Sequence, residues 1–195
     1  MARKYRYRRH HVWSATLLVL LAALLFFAQR AGWIGQASQA TTRDQPGLYS
    51  VAYFVDGDTI AVKMNGKVEK VRFVGVDTPE THKPNTPVQC YGPAAAAFTK
   101  STIGSQRVRL VSDSLSTDRD RYDRLLRYVY LPDGTNLNEK LVHEGYGFYY
   151  PYFPFTKSAQ FAADERIAMA AHKGLWGNCH PVPSDGGGYK MTEPA

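Results

Sequence analysis

Apolar and polar residues alternate over most of residues 48–131, which is the pattern of β-strands with one buried face. Short turns separate several of these runs, and Asn65-Gly66 is a strong hairpin signal between two of them. The alternation predicts five strands, at Tyr49–Val55, Thr59–Met64, Lys67–Val76, Gln106–Ser112 and Arg124–Leu131.

Three further segments have helix signals: a proline at the first position, a capping box, or apolar residues on one helical face. They are Ala94–Thr102, Asn136–Glu144 and Thr156–His172, the last with Ala159, Ala163, Ile167 and Ala170 on one face. Five strands and three helices predict an α+β fold built on a small, partly open five-stranded barrel of the oligonucleotide/oligosaccharide-binding (OB) type.

The N-terminal part has a different pattern. Residues 1–11 are basic, residues 12–28 contain no charged side chain, and residues 29–47 resemble a polar linker. A membrane-spanning helix needs about 17–25 apolar residues, whereas the apolar part of a cleavable signal has about 7–15. We therefore predict a transmembrane anchor with a cytoplasmic N-terminus, which puts residues 48–180 outside the cytoplasm. The alternative is a cleaved signal, in which case the domain is secreted.

The net charge of +7 comes mainly from this N-terminal part. Residues 1–40 contain six basic and no acidic side chains, so the remainder has 18 basic against 17 acidic residues, a net charge of +1. Attraction to nucleic acid must therefore come from local clusters. Cys90 and Cys179 both lie in the predicted exported part, where an oxidising compartment permits a disulfide; two free thiols are the alternative. Residues 181–195 are rich in Gly and Pro and predict a disordered tail.

Acidic residues lie at the ends of two predicted strands. Asp58 begins the otherwise apolar face of the second strand, and Asp77 follows the third strand. Two carboxylates from different strands, with the backbone carbonyl of Thr78, predict a site for a hard divalent cation such as Ca²⁺. Glu80, three residues after Asp77, is a candidate to take a proton from water or to orient it.

Two arginines complete the candidate chemistry. Arg72 and Arg124 can hold a phosphate through bidentate hydrogen bonds and offset the extra charge of a five-coordinate transition state. Metal, base and two guanidiniums together are what phosphodiester hydrolysis requires. Arg72 and Asp77 are five positions apart, so strict alternation puts them on opposite faces of the strand. The site therefore requires an irregular backbone near Gly75.

Five segments, taken in order, resemble the staphylococcal (thermo)nuclease family: Val55–Thr59, Val71–Glu80, Tyr91–Lys100, Asp120–Tyr130 and Leu137–Gly145. The resemblance spans about residues 49–177 and implies that family's barrel with three helices and its Ca²⁺-dependent cleavage of DNA and RNA. It implies calcium ligation by Asp58, Asp77 and Thr78, a general base at Glu80, phosphate binding by Arg72 and Arg124, and contacts to a terminal phosphate by Arg121 and Tyr122.

Two departures from the family pattern affect the site. Asp123 replaces a small residue, and we expect its carboxylate to pair with Arg124 and weaken the grip of that arginine on phosphate. The aromatic run around Tyr149–Phe155 also differs. Aromatic runs such as Tyr146–Phe155 are more often core than a base-stacking platform.

The expected protein is a monomeric hydrolase of ester bonds, an endonuclease acting on single-stranded or locally melted DNA, RNA or both, and attached to the membrane through residues 12–28. Two other functions fit the same residues: a barrel that binds nucleic acid without cleaving it, and a calcium-dependent surface protein with an aromatic partner interface.

Overall fold

The computed structural model describes residues 47–195, so the predicted anchor at residues 12–28 lies outside the described part. The barrel strands are β1 (Leu48–Phe54), β2 (Thr59–Met64), β3 (Lys67–Phe73), β5 (Arg107–Val111) and β6 (Leu125–Tyr130). The short strands are β4 (Val76–Asp77), β7 (Phe148–Tyr149), β8 (Val182–Pro183) and β9 (Tyr189–Lys190), and the helices are α1 (Gly92–Ile103), α2 (Leu137–His143), α3 (Ser158–Ala170) and α4 (Leu175–Asn178).

The five longer strands form a closed barrel in the order β1-β2-β3-β6-β5. The predicted five-stranded barrel with three helices is confirmed, except that the barrel is closed and not partly open. A fourth helix is a single turn. Four of the strand pairs are antiparallel, whereas β3 and β6 run parallel, with Val71 opposite Leu125. Alternate side chains fill the barrel, and Ile60, Val71 and Leu110 are fully buried there. Between residues 47 and 195, no helix is both long and apolar enough to span a membrane.

The predicted third strand is divided in two at Val74 and Gly75. Gly75 has a φ of +76°, and a Cβ there would lie 2.6 Å from the Phe155 ring, so the turn requires glycine. The Gly75 carbonyl accepts a hydrogen bond from the Tyr150 amide at 3.0 Å, and β4 then pairs with β7. The chain thus leaves the barrel after Phe73 with the irregularity that the site requires.

The buried face of α3 differs from the prediction. Phe161, Asp164, Glu165 and Ala168 are buried, whereas Ile167, predicted on the apolar face, is half exposed. The aromatic ring of Phe161 packs against Phe155, and Glu165 accepts a hydrogen bond from the Tyr149 amide at 3.0 Å. Because alanine side chains are small, exposing them to solvent costs little. The orientation of this helix is therefore decided by its tertiary partners.

The C-terminal segment is also different from its prediction. Instead of a disordered tail, residues 181–195 contain the β8–β9 hairpin, and Met191 is buried with Phe148 and Leu175. Cys90 and Cys179 form a disulfide that closes this end against the rest of the domain. The glycines at 186–188 lie in the turn of this packed hairpin, where Gly187 and Gly188 have positive φ, whereas Pro183 belongs to β8.

Candidate active site

The centre of the site is Arg72, which lies between two carboxylates. Its Nη1 is 2.8 Å from Asp58 Oδ2, and its Nη2 is 2.6 Å from Asp77 Oδ1. Nη1 also donates a hydrogen bond to the Val76 carbonyl at 2.7 Å. The turn at Gly75 directs this carbonyl back toward β3. Arg72 and Asp77 therefore meet despite their five-residue separation, and only 12% of the Arg72 side chain is exposed.

Asp58 is held in place by its neighbours on three elements. The Thr78 amide donates to Asp58 Oδ2 at 2.8 Å, and the Thr59 hydroxyl donates to Oδ1 at 3.0 Å. Behind it, the Thr99 hydroxyl of α1 donates to the Gly57 carbonyl at 2.5 Å. A Cβ on Gly57 would lie 2.8 Å from the Thr78 side chain, so the turn before β2 packs directly on the segment that carries Asp77.

A third carboxylate, that of Asp56, belongs to this group. The pKa of Asp56 is raised to about 7, first by burial and then by the charge of Asp58, while the charge of Arg72 opposes both. Burial likewise raises the pKa of Asp77 to about 6, against the opposing charge of Arg72. For Arg72, burial lowers the pKa, but the three carboxylates outweigh it and the net shift is upward. The sequence presents Asp56 only as part of an Asp-Gly-Asp turn, because a turn signal does not show which carboxylate points inward.

The carboxylate group fits a hard divalent cation. Three carboxylates, those of Asp56, Asp58 and Asp77, act on the single guanidinium of Arg72. Carboxylate and carbonyl oxygens are the ligands that Ca²⁺ takes, and Asp58, Asp77 and the carbonyl of Thr78 are the predicted set. Among residues 47–195, Cys90, Cys179 and Glu193 are the one set of three or more Cys, His, Asp or Glu side chains whose ligand atoms all lie within 4.8 Å of one another, and both sulfurs are already bonded. Asp56, Asp58 and Asp77 are spread more widely than this, with Arg72 between Asp58 and Asp77.

Glu80 lies at the start of a loop beside this cluster. Glu80 follows Asp77 by three residues, and its charge is one of the causes that raise the pKa of Asp77, after burial and the charge of Asp58. The Glu80 side chain is one-third exposed and lies 3.6 Å from Lys83 Nζ. Gln89 closes the loop: its Oε1 accepts from the Glu80 amide at 2.7 Å, and its own backbone amide donates to the Glu80 carbonyl at 2.9 Å. The sequence does not reveal Gln89 because its partners lie nine residues away along an irregular loop.

Arg124 lies in a turn just before β6, and its carboxylate partner is not the predicted one. Asp120 accepts from Arg124 Nε at 2.7 Å and from the Arg124 amide at 3.0 Å. Burial alone would raise the pKa of Asp120, but these hydrogen bonds and that from Tyr122 hold it below its usual value. Asp123, expected to pair with Arg124, has a φ of +62° and turns its exposed carboxylate to Arg119 at 3.5 Å. The left-handed turn directs consecutive side chains apart, so the expected weakening of Arg124 does not arise from Asp123.

The pairing with Asp120 leaves most of the Arg124 guanidinium open. Its two terminal nitrogens make no hydrogen bond or ion pair to the part of the chain that the structure describes. The guanidinium of Arg124 lies 5.4 Å from the Tyr122 ring, and that of Arg121 lies 4.8 Å from the same ring. Because β3 and β6 are parallel neighbours, this turn lies beside the strand that carries Arg72.

The aromatic run after Gly145 divides into a buried and an exposed part. Phe148 and Phe155 are core residues, whereas 42% of Tyr152 and 64% of Phe153 are exposed. Tyr150 connects the exposed pair to the site, since its ring is 5.9 Å from the Arg72 guanidinium and 6.1 Å from the Phe153 ring. The core interpretation therefore holds for only some members of the run.

Comparison with known proteins gives a consistent family assignment. Residues 70–178 match the family described as staphylococcal nuclease homologue. The chain is 39% identical over 170 residues to a thermonuclease of Staphylococcus hyicus, which covers 83% of this chain and 96% of that protein. It is 42% identical over 132 residues to a thermonuclease of Staphylococcus intermedius, covering 68% of this chain and 77% of the relative. Endonuclease YncB of Bacillus subtilis is 42% identical over 134 residues, covering 68% of this chain and 63% of that protein.

Proposed function

This chain belongs to the staphylococcal nuclease family and is a nuclease, and on this basis we propose that it is a calcium-dependent, extracytoplasmic enzyme that hydrolyses phosphodiester bonds of DNA, RNA or both. The observation that carries this proposal is the cluster of Asp58, Asp77 and Arg72, with salt bridges of 2.8 and 2.6 Å. Binding alone does not require so much buried charge at one point, because holding charges away from water is costly.

The proposed roles follow from burial and open hydrogen-bonding capacity. Glu80, partly exposed and near Asp77, takes a proton from the attacking water or orients it. Arg124 binds a phosphoryl oxygen through its open terminal nitrogens, while Asp120 fixes its Nε. Arg121 and Tyr122 lie on the exposed side of the same turn and contact a flanking phosphate.

Arg72 has a double role in this proposal. It holds Asp58 and Asp77 together in the described structure, and its positive charge is directed at the place where charge develops on the phosphoryl group. When bound by Asp58, Asp77 and the Thr78 carbonyl, Ca²⁺ supplies Lewis-acid neutralisation of a phosphoryl oxygen. Asp56 offers a further carboxylate next to this set, since its Oδ1 accepts a hydrogen bond from the Asp58 amide at 3.3 Å.

The extracytoplasmic location is part of the proposal. The uncharged run at residues 12–28 after a basic block favours an anchor or a signal. The disulfide between Cys90 and Cys179 is consistent with an oxidising compartment.

The test is cleavage of a single-stranded DNA and of an RNA by the purified protein in Ca²⁺, with and without a chelator. We expect cleavage that the chelator abolishes, and that Glu80→Gln and Arg124→Ala each reduce by at least about 10²-fold. Glu139→Gln, on a helix away from the cluster, is the matched control and should cleave normally. Tight binding without cleavage in Ca²⁺ would instead identify a binding module.

A further inference from the structure

Gln89 connects the loop of residues 80–89, which we call the Glu80 loop, to the C-terminal end of the domain. Its Oε1 accepts from the Glu80 amide at 2.7 Å, while its Nε2 donates to the Met191 carbonyl at 2.7 Å. One side chain thus uses both of its polar groups to join residues that are 111 positions apart (191 − 80) in the sequence. Gln89 is only partly buried, so water was available to both groups and the observed partners are specific to the fold.

The chain on either side of Gln89 is attached to the same segment. We define the C-terminal strap as residues 180–195. The Cys90 amide donates to the Glu193 carbonyl at 2.8 Å, and the Ala195 amide donates to the Val88 carbonyl at 2.8 Å. The disulfide from Cys90 to Cys179 lies next to these bonds and fixes the start of the strap.

The strap is itself anchored in a small apolar cluster. Met191 is only 4% exposed and packs with Phe148, Leu175 and Cys179. Phe148 is the β7 residue opposite Asp77, so the cluster that holds the strap also backs the metal-ligand candidate. The strap, the disulfide and the carboxylate site therefore form one continuous set of contacts.

The Glu80 loop depends on these attachments. Residues 82–85, 87 and 88 are exposed, so the loop contributes little packing of its own. Its base is closed by the Gln89 side chain and by the backbone bond from Gln89 to the Glu80 carbonyl. The Gln89 end of the loop is held by three hydrogen bonds to the strap and by the disulfide from Cys90 to Cys179, just before the strap begins. Release of the strap removes the three hydrogen bonds, and reduction of the disulfide removes the covalent link.

We propose that Gln89 and the C-terminal strap position Glu80, and that the Cys90–Cys179 disulfide makes this positioning depend on the redox state of the protein. The inference rests on the proposed role of Glu80 in hydrolysis. A base that is fixed beside the reacting water reacts faster than one on a mobile loop, because less freedom must be lost in the transition state. Arg121, Tyr122 and Arg124, which bind substrate, lie on a different element from Gln89 and its partners Glu80 and Met191, so loss of the Gln89 side chain affects kcat and not KM.

The first experiment compares Gln89→Met with Gln106→Met in the full chain. Methionine matches glutamine in length and removes both hydrogen bonds, and Gln106 is an exposed glutamine outside the strap. We expect Gln89→Met to lower kcat about tenfold with KM within about twofold, and Gln106→Met to change neither. In a Glu80→Gln background, Gln89→Met should reduce the residual rate less than about twofold, because a positioning residue acts only through the group it positions.

The second experiment reduces the disulfide. Dithiothreitol converts the Cys90–Cys179 bond to two thiols and is itself oxidised to a cyclic disulfide, and Cys90→Ser/Cys179→Ser mimics the reduced state. We expect a similar loss of kcat in both, restored by reoxidation in the wild type and unchanged by it in the serine variant. Full kcat in the reduced wild type would overturn the redox dependence.

The outcomes separate the two proposals. An inactive wild type removes the proposed function. A wild type that requires Glu80 but keeps full kcat in Gln89→Met overturns the positioning role alone. The positioning role is also overturned if Gln89→Met lowers the rate by the same factor in the wild-type and Glu80→Gln backgrounds. The loss then comes from a change in the fold that does not act through Glu80.

Discussion

The two arginines of the site occupy contrasting surroundings. Arg72 is 12% exposed in its side chain, and both of its terminal nitrogens are used by Asp58, Asp77 and the Val76 carbonyl. Arg124 is 26% exposed, and its carboxylate partner Asp120 uses only Nε. The Arg72 guanidinium is part of the internal framework, whereas the Arg124 guanidinium is partly exposed to solvent. Both carry the same charge, and both pair with carboxylates.

The contrast separates stability from substrate binding. A buried pair is costly to break because the remaining charge is left without water, whereas an exposed pair contributes little to folding. We therefore expect changes at Arg72 to affect both the fold and the reaction, and changes at Arg124 to affect the reaction alone.

The largest effect is expected for Arg72→Gln. The variant leaves Asp58 and Asp77 without their guanidinium, so we expect a loss of about 3–5 kcal/mol in the free energy of unfolding. Cleavage should also fall about 10³-fold, since a charge directed at the phosphoryl group is lost. Urea unfolding and initial cleavage rates in Ca²⁺ measure the two effects. The control is Arg109→Gln on β5, an exposed arginine stacked on Tyr130, and a stable Arg72→Gln protein would contradict the framework role.

Arg124→Gln should separate the two properties. We expect cleavage to fall about 10²–10³-fold, while the free energy of unfolding changes by less than about 1 kcal/mol. The same two measurements apply. If Arg124→Gln lowers the free energy of unfolding as much as Arg72→Gln does, the two environments contribute equally to stability and the contrast between them is wrong.

Glu165 tests what a buried carboxylate does without a salt bridge. It is 6% exposed, has no ion pair within residues 47–195, and burial raises its pKa to about 7 against the hydrogen bond from the Tyr149 amide. A carboxyl with a raised folded-state pKa stabilises the fold fully below its unfolded pKa, and that stability is lost as pH rises toward 7.

Glu165→Gln keeps the acceptor but cannot ionise. We expect it to be about 2 kcal/mol more stable than the wild type at about pH 8 and nearly equal at about pH 4. Thermal or urea unfolding across this pH range measures the difference. A wild type that matches Glu165→Gln at the higher pH would show that the buried site accepts the charged carboxylate without cost.

The smallest effect is expected on the exposed side of the site. Phe153 is 64% exposed and reaches Arg72 only through Tyr150. If a base stacks there, Phe153→Ala should raise KM for single-stranded DNA about fivefold with kcat unchanged, since stacking on an aromatic ring contributes about 1–3 kcal/mol. Val68→Ala, an exposed apolar residue beside the Asn65-Gly66 turn, is the control. An unchanged KM would leave Tyr152 and Phe153 outside the substrate path.

Much of the fold was predictable because its signals are local. Alternation located the five barrel strands, and Asn65-Gly66 located the hairpin between β2 and β3. The requirement that Arg72 and Asp77 converge also predicted a break near Gly75, and the structure has it there. Each of these predictions uses only residues within about ten positions of one another.

Other features could not be predicted because they depend on partners that a local pattern does not specify. Whether Asp120 or Asp123 holds Arg124 is decided by a left-handed turn at Asp123, which aspartate permits but does not require. The buried face of α3 is decided by Phe155 and Tyr149.

The sequence by itself determined the barrel, the order of its elements and the types of residue available for phosphodiester chemistry. Only the tertiary structure decided that Asp56 lies beside Asp58 and acts on Arg72, and that Arg124 keeps its terminal nitrogens open. It also decided that the C-terminal strap reaches the Glu80 loop through Gln89. Periodicity records which face of an element is apolar, and it contains no information on which distant polar group satisfies a given hydrogen bond. That choice is made when the closed barrel brings the ends of its strands together.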